Sequence, residues 1–270
     1  MPTTTPLPGS ELRAAVCDIA RRAGHEILEV YGSDFAHESK ADASPLTEAD
    51  LRAHRLIVAE LTRLTPELPV LSEESAEVPY EERRAWRRYW LVDPLDGTRE
   101  FVARNGEFTV NIALVENGRP VLGVVHIPVS DTTYSGAPGQ GAWRETGARP
   151  PVPIAVRPRA ATPLRVTGSR SHESPKLAAR LAKLGPHEFL PAGSSIKLCL
   201  IADGSADLYP RMGGSSEWDI AAGQAVVEAA GGQVVSLEDG LALRYNKPDL
   251  LNPKFLAYGD PSLWGRWPRD

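Results

Sequence analysis

With 270 residues, 42% of them hydrophobic and 24% charged, the chain has the size and composition of one or two ordinary globular domains. Thirty Lys and Arg against 35 Asp and Glu leave a net charge of -5, which argues against a surface built to grip a polyanion, so nucleic acid is not an expected partner. No apolar stretch approaches the ~20 residues of a membrane span. Residues 1–10 have neither the basic region nor the apolar core of a signal peptide. Cys17 and Cys199 sit in apolar patterns that suit buried thiols in a reducing cytoplasm better than a disulfide framework.

Residues 1–10 read as a flexible lead-in. Ser10 can cap a first helix in which Leu12, Val16, Ile19, Ala23, Ile27 and Val30 recur at spacings of three and four, with Gly32 as its stop. A second helix is expected to open at Thr47-Glu-Ala-Asp50 and to bury Ala53, Ile57, Leu61 and Leu64 before Pro66. A short strand at Pro69-Val-Leu71 ends in Ser72-Glu73-Glu74. Arg88-Tyr-Trp-Leu-Val92 reads as a strand running into Asp93-Pro-Leu-Asp-Gly-Thr98, where Pro94 is expected to end the ladder. Phe108 to Val115 and Pro120 to Ile127 are two β-rich runs flanking Asn117-Gly118, a strong hairpin signal.

The Pro- and Gly-dense stretch from Gly147 to Ile154 is the best candidate boundary. It divides an α+β half, residues 11–155, from an α/β half, residues 156–270. In the second half Arg165-Val-Thr167 and Ala206 to Tyr209 read as strands. Ser174 to Leu184 is an amphipathic helix, Ser195 to Ala202 an apolar one, and a helix starting near Asp219 ends at Gly231-Gly232. There is no internal repeat.

Asp93-Pro-Leu-Asp-Gly-Thr98 is the most informative segment. It places two carboxylates three residues apart at a strand's end. Gly97 lets backbone approach a ligand, and Thr98 opens a helical turn whose N–H groups can face an anion. Hard divalent cations want oxygen ligands, and Mg²⁺ is held by a few carboxylates together with substrate phosphate. Each other carboxylate also has a purely structural reading. Glu73-Glu74 suits a solvated loop, Asp219 the first turn of a helix, and Asp50 a capping box with Thr47. What favours chemistry is the set, since all lie at strand ends or helix starts, where α/β folds gather ligands.

Glu73-Glu74, Asp93-Pro-Leu-Asp-Gly-Thr98 and Trp218-Asp219-Ile-Ala-Ala-Gly223 together resemble the signature of the inositol monophosphatase superfamily of Mg²⁺-dependent, lithium-sensitive phosphomonoesterases. Within it the chain is similar to the bacterial 3'(2'),5'-bisphosphate nucleotidases. That likeness is carried by Lys40-Ala-Asp-Ala-Ser-Pro45, Val70-Leu-Ser-Glu-Glu74, Tyr89-Trp-Leu-Val-Asp93, Asn105 to Ala113, Gly168-Ser-Arg-Ser-His172, Gly193-Ser-Ser-Ile-Lys197 and Leu251-Asn-Pro253.

The resemblance implies a layered αβαβα sandwich with the active site between its two halves. It implies that Glu73, Asp93 and the Leu95 carbonyl bind one Mg²⁺, that Asp93, Asp96 and Asp219 bind a second, and that Glu73 and Asp50 serve a third. Gly97 and Thr98 would meet the scissile phosphate, with Thr98 and Asp50 deprotonating the attacking water. Ser169, His172, Ser194 and Lys197 would line the nucleotide end. The implied activity is hydrolysis of adenosine 3',5'-bisphosphate to AMP in sulfate assimilation, with its sulfated relative a further candidate substrate and Li⁺ an inhibitor. The implied place is the cytoplasm or the cytoplasmic face of the inner membrane, and self-association is left open. Rival readings are an inositol monophosphatase, a fructose-1,6-bisphosphatase, and a catalytically silent metal or nucleotide sensor.

Overall fold

Helix Gly9–Tyr31 (α1) buries Leu12, Val16, Ile19, Ala23, Ile27 and Val30, the face its periodicity predicts. The computed structural model of the protein describes residues 9–32, 38–39, 45–46, 48–75, 78–170 and 175–268. Thr47 and the segment Lys40 to Ser44 lie outside the described residues. A two-stranded ribbon, Glu38–Ser39 (β1) with Pro45–Leu46 (β2), precedes helix Glu48–Leu64 (α2), which buries Ala53, Ile57 and Leu61. Then come Val70–Ser72 (β3), a 3₁₀ turn at Glu73–Ser75, Tyr80–Arg83 (α3), Arg88–Asp96 (β4) and Thr98–Val102 (α4). Thr109–Glu116 (β5) and Arg119–Ile127 (β6) form the expected hairpin, with Asn117 and Gly118 at φ 51° and 73°, as a tight hairpin turn requires. Thr132–Ala137 (β7), Gly141–Thr146 (β8) and Val152–Ile154 (β9) complete a seven-stranded sheet in sequence order β3 to β9. All its pairings are antiparallel except β3 with β4.

The second half contains Leu164–Ser169 (β10), Pro175–Leu184 (α5), His187–Ala192 (β11), Ile196–Ala202 (α6), Leu208–Arg211 (β12), Glu217–Ala229 (α7), Gln233–Ser236 (β13), Phe255–Tyr258 (β14) and Ser262–Arg266 (α8). Its five-stranded sheet has the order β11-β10-β12-β14-β13. The strand–helix alternation holds through β12, after which β14 and β13 pair antiparallel, so the sheet is mixed.

Alternation along each strand builds the layers. Trp90 and Val92 of β4 pack with α1 and α2, whereas Tyr89 and Leu91 pack on the opposite face with α6 and α7. Tyr209, Phe255 and Ala257 of the second sheet join that same inner layer, and Leu164, Val166, Leu208 and Leu256 face outward to Leu181, Leu263 and Trp267. The result is the αβαβα sandwich. Helix α7 is its middle, with Ile220, Ala221, Ala222, Ala225, Val226 and Val227 all buried. Where α7 crosses β6, Gly123 is required, because a Cβ there would lie 2.1 Å from the Ala222 carbonyl oxygen and 2.8 Å from Ala225 Cβ. No helix among the described residues is long and apolar enough to cross a membrane.

His126 on β6 is buried against Gly24 of α1, and its Nδ1 is 2.9 Å from Thr133 Oγ1. Burial, with a smaller contribution from the nearby Arg21 cation, lowers its pKa to about 4. The unfolded chain, with an ordinary imidazole near 6.5, therefore binds more protons between those values. The stability this site contributes is complete above pH 6.5 and is lost as pH falls toward 4, by about 3 kcal/mol. His126→Asn should remove that part of the acid dependence. Denaturant unfolding of both proteins at pH 7 and pH 4 measures it, and equal acid losses in both would show that His126 does not carry the effect.

Candidate active site

The segment after Val92 departs from expectation in one respect. Pro94 does not end β4. The strand continues to Asp96, which pairs with Thr109, and the register shifts between Asp93 and Asp96. A bulge accommodates a proline without an N–H and re-aims the side chains around it. Within it the Leu95 N–H donates to Asp93 Oδ1 at 3.1 Å, and the Asp93 carboxylate is buried. Gly97 then adopts φ 92°, a left-handed conformation that glycine tolerates, and α4 begins at half-buried Thr98.

Asp96 reaches across to the second half. Its Oδ2 accepts from Ser194 Oγ at 2.6 Å, from the Ser195 N–H at 2.7 Å and from Asn111 Nδ2 at 3.4 Å. The two serine hydroxyls lie 2.6 and 2.7 Å from Thr109 Oγ1, and Ser195 Oγ donates to Asn111 Oδ1 at 2.7 Å. Asp219 occupies the first turn of α7, where its carboxylate accepts the Ser216 N–H at 2.9 Å in a capping box. The structural reading of Asp219 is therefore also true, and one of its oxygens caps the helix.

The electrostatics mark these acids as a group. Burial pushes the Asp93 carboxyl well above its ordinary range, and the charges of Glu73, Asp96, Asp219 and Asp50 push it further. Burial, then Asp96 and Glu73, raise Asp219 to about 8. Asp50 is buried in the first turn of α2, whereas Glu73 is exposed in its 3₁₀ turn. Among the described residues, no three His, Cys, Asp or Glu side chains already meet as a ready-made ligand cluster for a metal ion. Like charges near one another separate, and Asp96 is turned toward the serines. The donor set nevertheless fits a hard dication: oxygen only, with buried carboxyls whose ionisation is opposed by burial and mutual repulsion and would be favoured by a cation.

Asp96 and Asp219 border a cavity of about 120 Å³ that is lined also by Ser169, Ser194, Lys197 and Arg211, among others. Lys197 is buried, so it is not a solvated surface group. Its Nζ donates to the carbonyls of Ser194 at 2.5 Å and Ala192 at 3.3 Å and lies 5.7 Å from the Tyr209 ring centroid. Burial lowers its pKa to about 8. His172 lies outside the described residues. Both thiols, Cys17 and Cys199, are free and buried.

Sequence reasoning passed over Thr109, Asn111, Ser195, Tyr209 and Arg211. For the first two a signal existed, since two polar residues at alternate positions of an otherwise apolar strand share one face. Nothing local marked Arg211, whose Nη2 donates to the Gly214 carbonyl at 2.6 Å while its buried Nε has no hydrogen-bond partner among the described residues.

The five-layer sandwich thus carries Asp93 and Asp96 at a bulged strand end, with Asp96 and Asp219 lining one cavity together with Lys197 and Arg211. The chain belongs to the inositol monophosphatase family, whose model matches residues 9–263. Among curated relatives, it is 49% identical over 243 residues to the 3'(2'),5'-bisphosphate nucleotidase CysQ of Escherichia coli, covering 89% of this chain and 96% of that protein. Among solved structures it is similar to CysQ from Bacteroides thetaiotaomicron, with a TM-score of 0.82 and 42% identity over 93% of this chain and 97% of that one. The IMPase of Thermotoga maritima superposes with a TM-score of 0.76 at 26% identity, over 95% of each chain.

Proposed function

We propose that the protein is a Mg²⁺-dependent phosphomonoesterase that hydrolyses adenosine 3',5'-bisphosphate to AMP and phosphate, acts in the cytoplasm in sulfate assimilation, and is inhibited by Li⁺. The observation that carries this is one cavity lined by the acids Asp96 and Asp219 and the cations Lys197 and Arg211, with the buried Asp93 carboxyl under the influence of both acids. The relatives named 3'(2'),5'-bisphosphate nucleotidase support the choice of substrate.

Glu73, Asp93, the Leu95 carbonyl, Asp96 and Asp219 would hold two Mg²⁺ ions, with Asp50 and Glu73 serving a third. Bound Mg²⁺ supplies neutralisation of phosphate charge, an acidified water and stabilisation of the leaving oxygen. The chain does the rest. Gly97 lets backbone come close to the scissile phosphate, and the Thr98 hydroxyl with the Asp50 carboxylate takes the proton of the attacking water. Lys197, with Ser169, Ser194 and His172, receives the nucleotide end. The sulfated relative of the bisphosphate, which carries the same 3'-phosphate, is proposed as a second substrate.

Phosphate release from adenosine 3',5'-bisphosphate, inositol 1-phosphate and fructose 1,6-bisphosphate at matched Mg²⁺ tests the reading. The bisphosphate nucleotide is expected to be preferred, and preference for either sugar phosphate would overturn the substrate choice. Lys197→Ala should lower kcat/KM for the nucleotide by roughly ten- to a hundredfold, the worth of a charge-assisted hydrogen bond to phosphate. It should barely change hydrolysis of a small monophosphate measured on the same preparation. Equal losses on both substrates would place Lys197 at the reacting phosphate or in the fold.

A further inference from the structure

The motif Leu251-Asn-Pro253 has no part in the chemistry above, yet it wraps the start of α7. The segment from Arg244 to Asn252 is buckled there by a dense set of contacts. The Glu217 carboxylate, fully buried at the first position of α7, accepts the Asn246 N–H at 2.7 Å, the Lys247 N–H at 3.1 Å and Lys247 Nζ at 2.5 Å. Arg83 of α3 grips the same segment from the first half, donating to Asn246 Oδ1 at 3.1 Å, the Lys247 carbonyl at 2.6 Å and the Pro248 carbonyl at 2.9 Å. The Glu217 N–H donates to the Leu250 carbonyl at 2.8 Å.

Asn252 closes the arrangement. It is 7% exposed, its N–H donates to the Ser215 carbonyl at 2.8 Å, and its Nδ2 donates to the Ser216 carbonyl at 2.8 Å. Lys247 Nζ lies 3.4 Å from Asn252 Oδ1 and so fixes the amide with its nitrogen toward Ser216. The Ser216 N–H is the group that holds Asp219 Oδ2 at 2.9 Å. A short relay therefore runs from Lys247 through Asn252 and Ser216 to Asp219.

We propose that Asn252, oriented by Lys247, is a positioning residue for Asp219. It fixes the residue that clamps the carboxylate and so presets that carboxylate for a cation. The proposal rests on the metal-binding reading given under Proposed function. Without the Asn252 side chain the Ser216 carbonyl loses its clamp while the main-chain bonds on either side remain, so Ser216 is held less tightly and its reordering weighs against cation binding.

Two measurements on Asn252→Ala and Lys247→Met test this. In chelated protein, hydrogen exchange at the Ser216 amide reports its contact with Asp219 directly and needs no metal. Its protection should fall about three- to tenfold in Asn252→Ala, the worth of one hydrogen bond. Titration calorimetry with Mg²⁺ alone should show the dissociation constant rising by a similar factor, while kcat at saturating Mg²⁺ stays within about twofold. Lys247→Met should shift both readouts in the same direction and serves if Asn252→Ala does not fold. Tyr134→Phe, which loses the remote hydrogen bond to Asp203, serves as a destabilised control that should move neither. Unchanged Ser216 exchange in both variants, or equal changes in the control, would overturn the positioning role. Failure of the wild-type protein to bind Mg²⁺ would instead overturn the metal reading, and the exchange arm would still decide the relay.

Discussion

Replacing Asp93 with asparagine is expected to lower kcat/KM for adenosine 3',5'-bisphosphate by roughly two to three orders of magnitude, the scale of losing one preorganised charge-stabilising group. The same change should raise the melting temperature of the chelated protein. Asp93 is buried among Glu73, Asp96, Asp219 and Asp50, and its carboxyl is held well above the ordinary range by burial first and by those charges second. A group whose folded pKa is raised stabilises the fold most when protonated, and that stability is lost as pH rises through the folded value. An amide of the same shape has no charge to desolvate and none to repel. A gain of about 1 kcal/mol would appear as roughly 2–4 °C in a domain of this size. The variant's stability should also depend less on pH above the ordinary carboxylate range. Two assays decide the matter: near-normal turnover at saturating Mg²⁺ would sink the two-metal reading, and a lower melting temperature without cations would show that the cluster is not under electrostatic tension.

The largest expected stability effect lies elsewhere, at Gly123→Ala. The added methyl would meet the Ala222 carbonyl oxygen at 2.1 Å, and that oxygen belongs to backbone that cannot rotate away. Helix α7 would have to lift off β6, at a cost of roughly 3 kcal/mol, the upper end for overpacking. That corresponds to about 6–12 °C in melting temperature. Gly265→Ala is the matching control: it lies in α8, its Cβ would meet nothing within 4 Å, and it should be neutral or slightly stabilising. A Gly123→Ala protein that melts with the wild type would mean that α7 and β6 are not held as closely as described.

Much of this molecule was legible locally. The 3.6-residue periods of α1 and α2 and the Asn117-Gly118 turn are short-range signals and appear where expected. The hexapeptide from Asp93 to Thr98 reads as the site's centre, and of its two carboxylates Asp96 lines the cavity while Asp93 is buried. Pro94 misled because a proline ordinarily ends a ladder, and a bulge was the alternative that a single strand cannot announce. The partners of Asp96, ninety-eight and ninety-nine positions away at Ser194 and Ser195, leave no trace in either segment taken alone. Nothing local marks Lys197 as buried rather than on the surface; β11, α6 and β12 close around it. Its burial is a property of the assembled sandwich and not of Gly193-Ser-Ser-Ile-Lys197.

Helix α7 has one further implication. It lies against β4, β5, β6 and β7 of one sheet and packs with α6 and β13 of the other half. Its buried residues leave it no stripe to show to water. Neither sheet can shed this helix and keep a covered inner face, so the Pro- and Gly-rich passage near Ile154 joins two halves that share a single interior. Loss of one half should take the other with it in one cooperative melt, and the acid at the head of that shared helix inherits the rigidity of both.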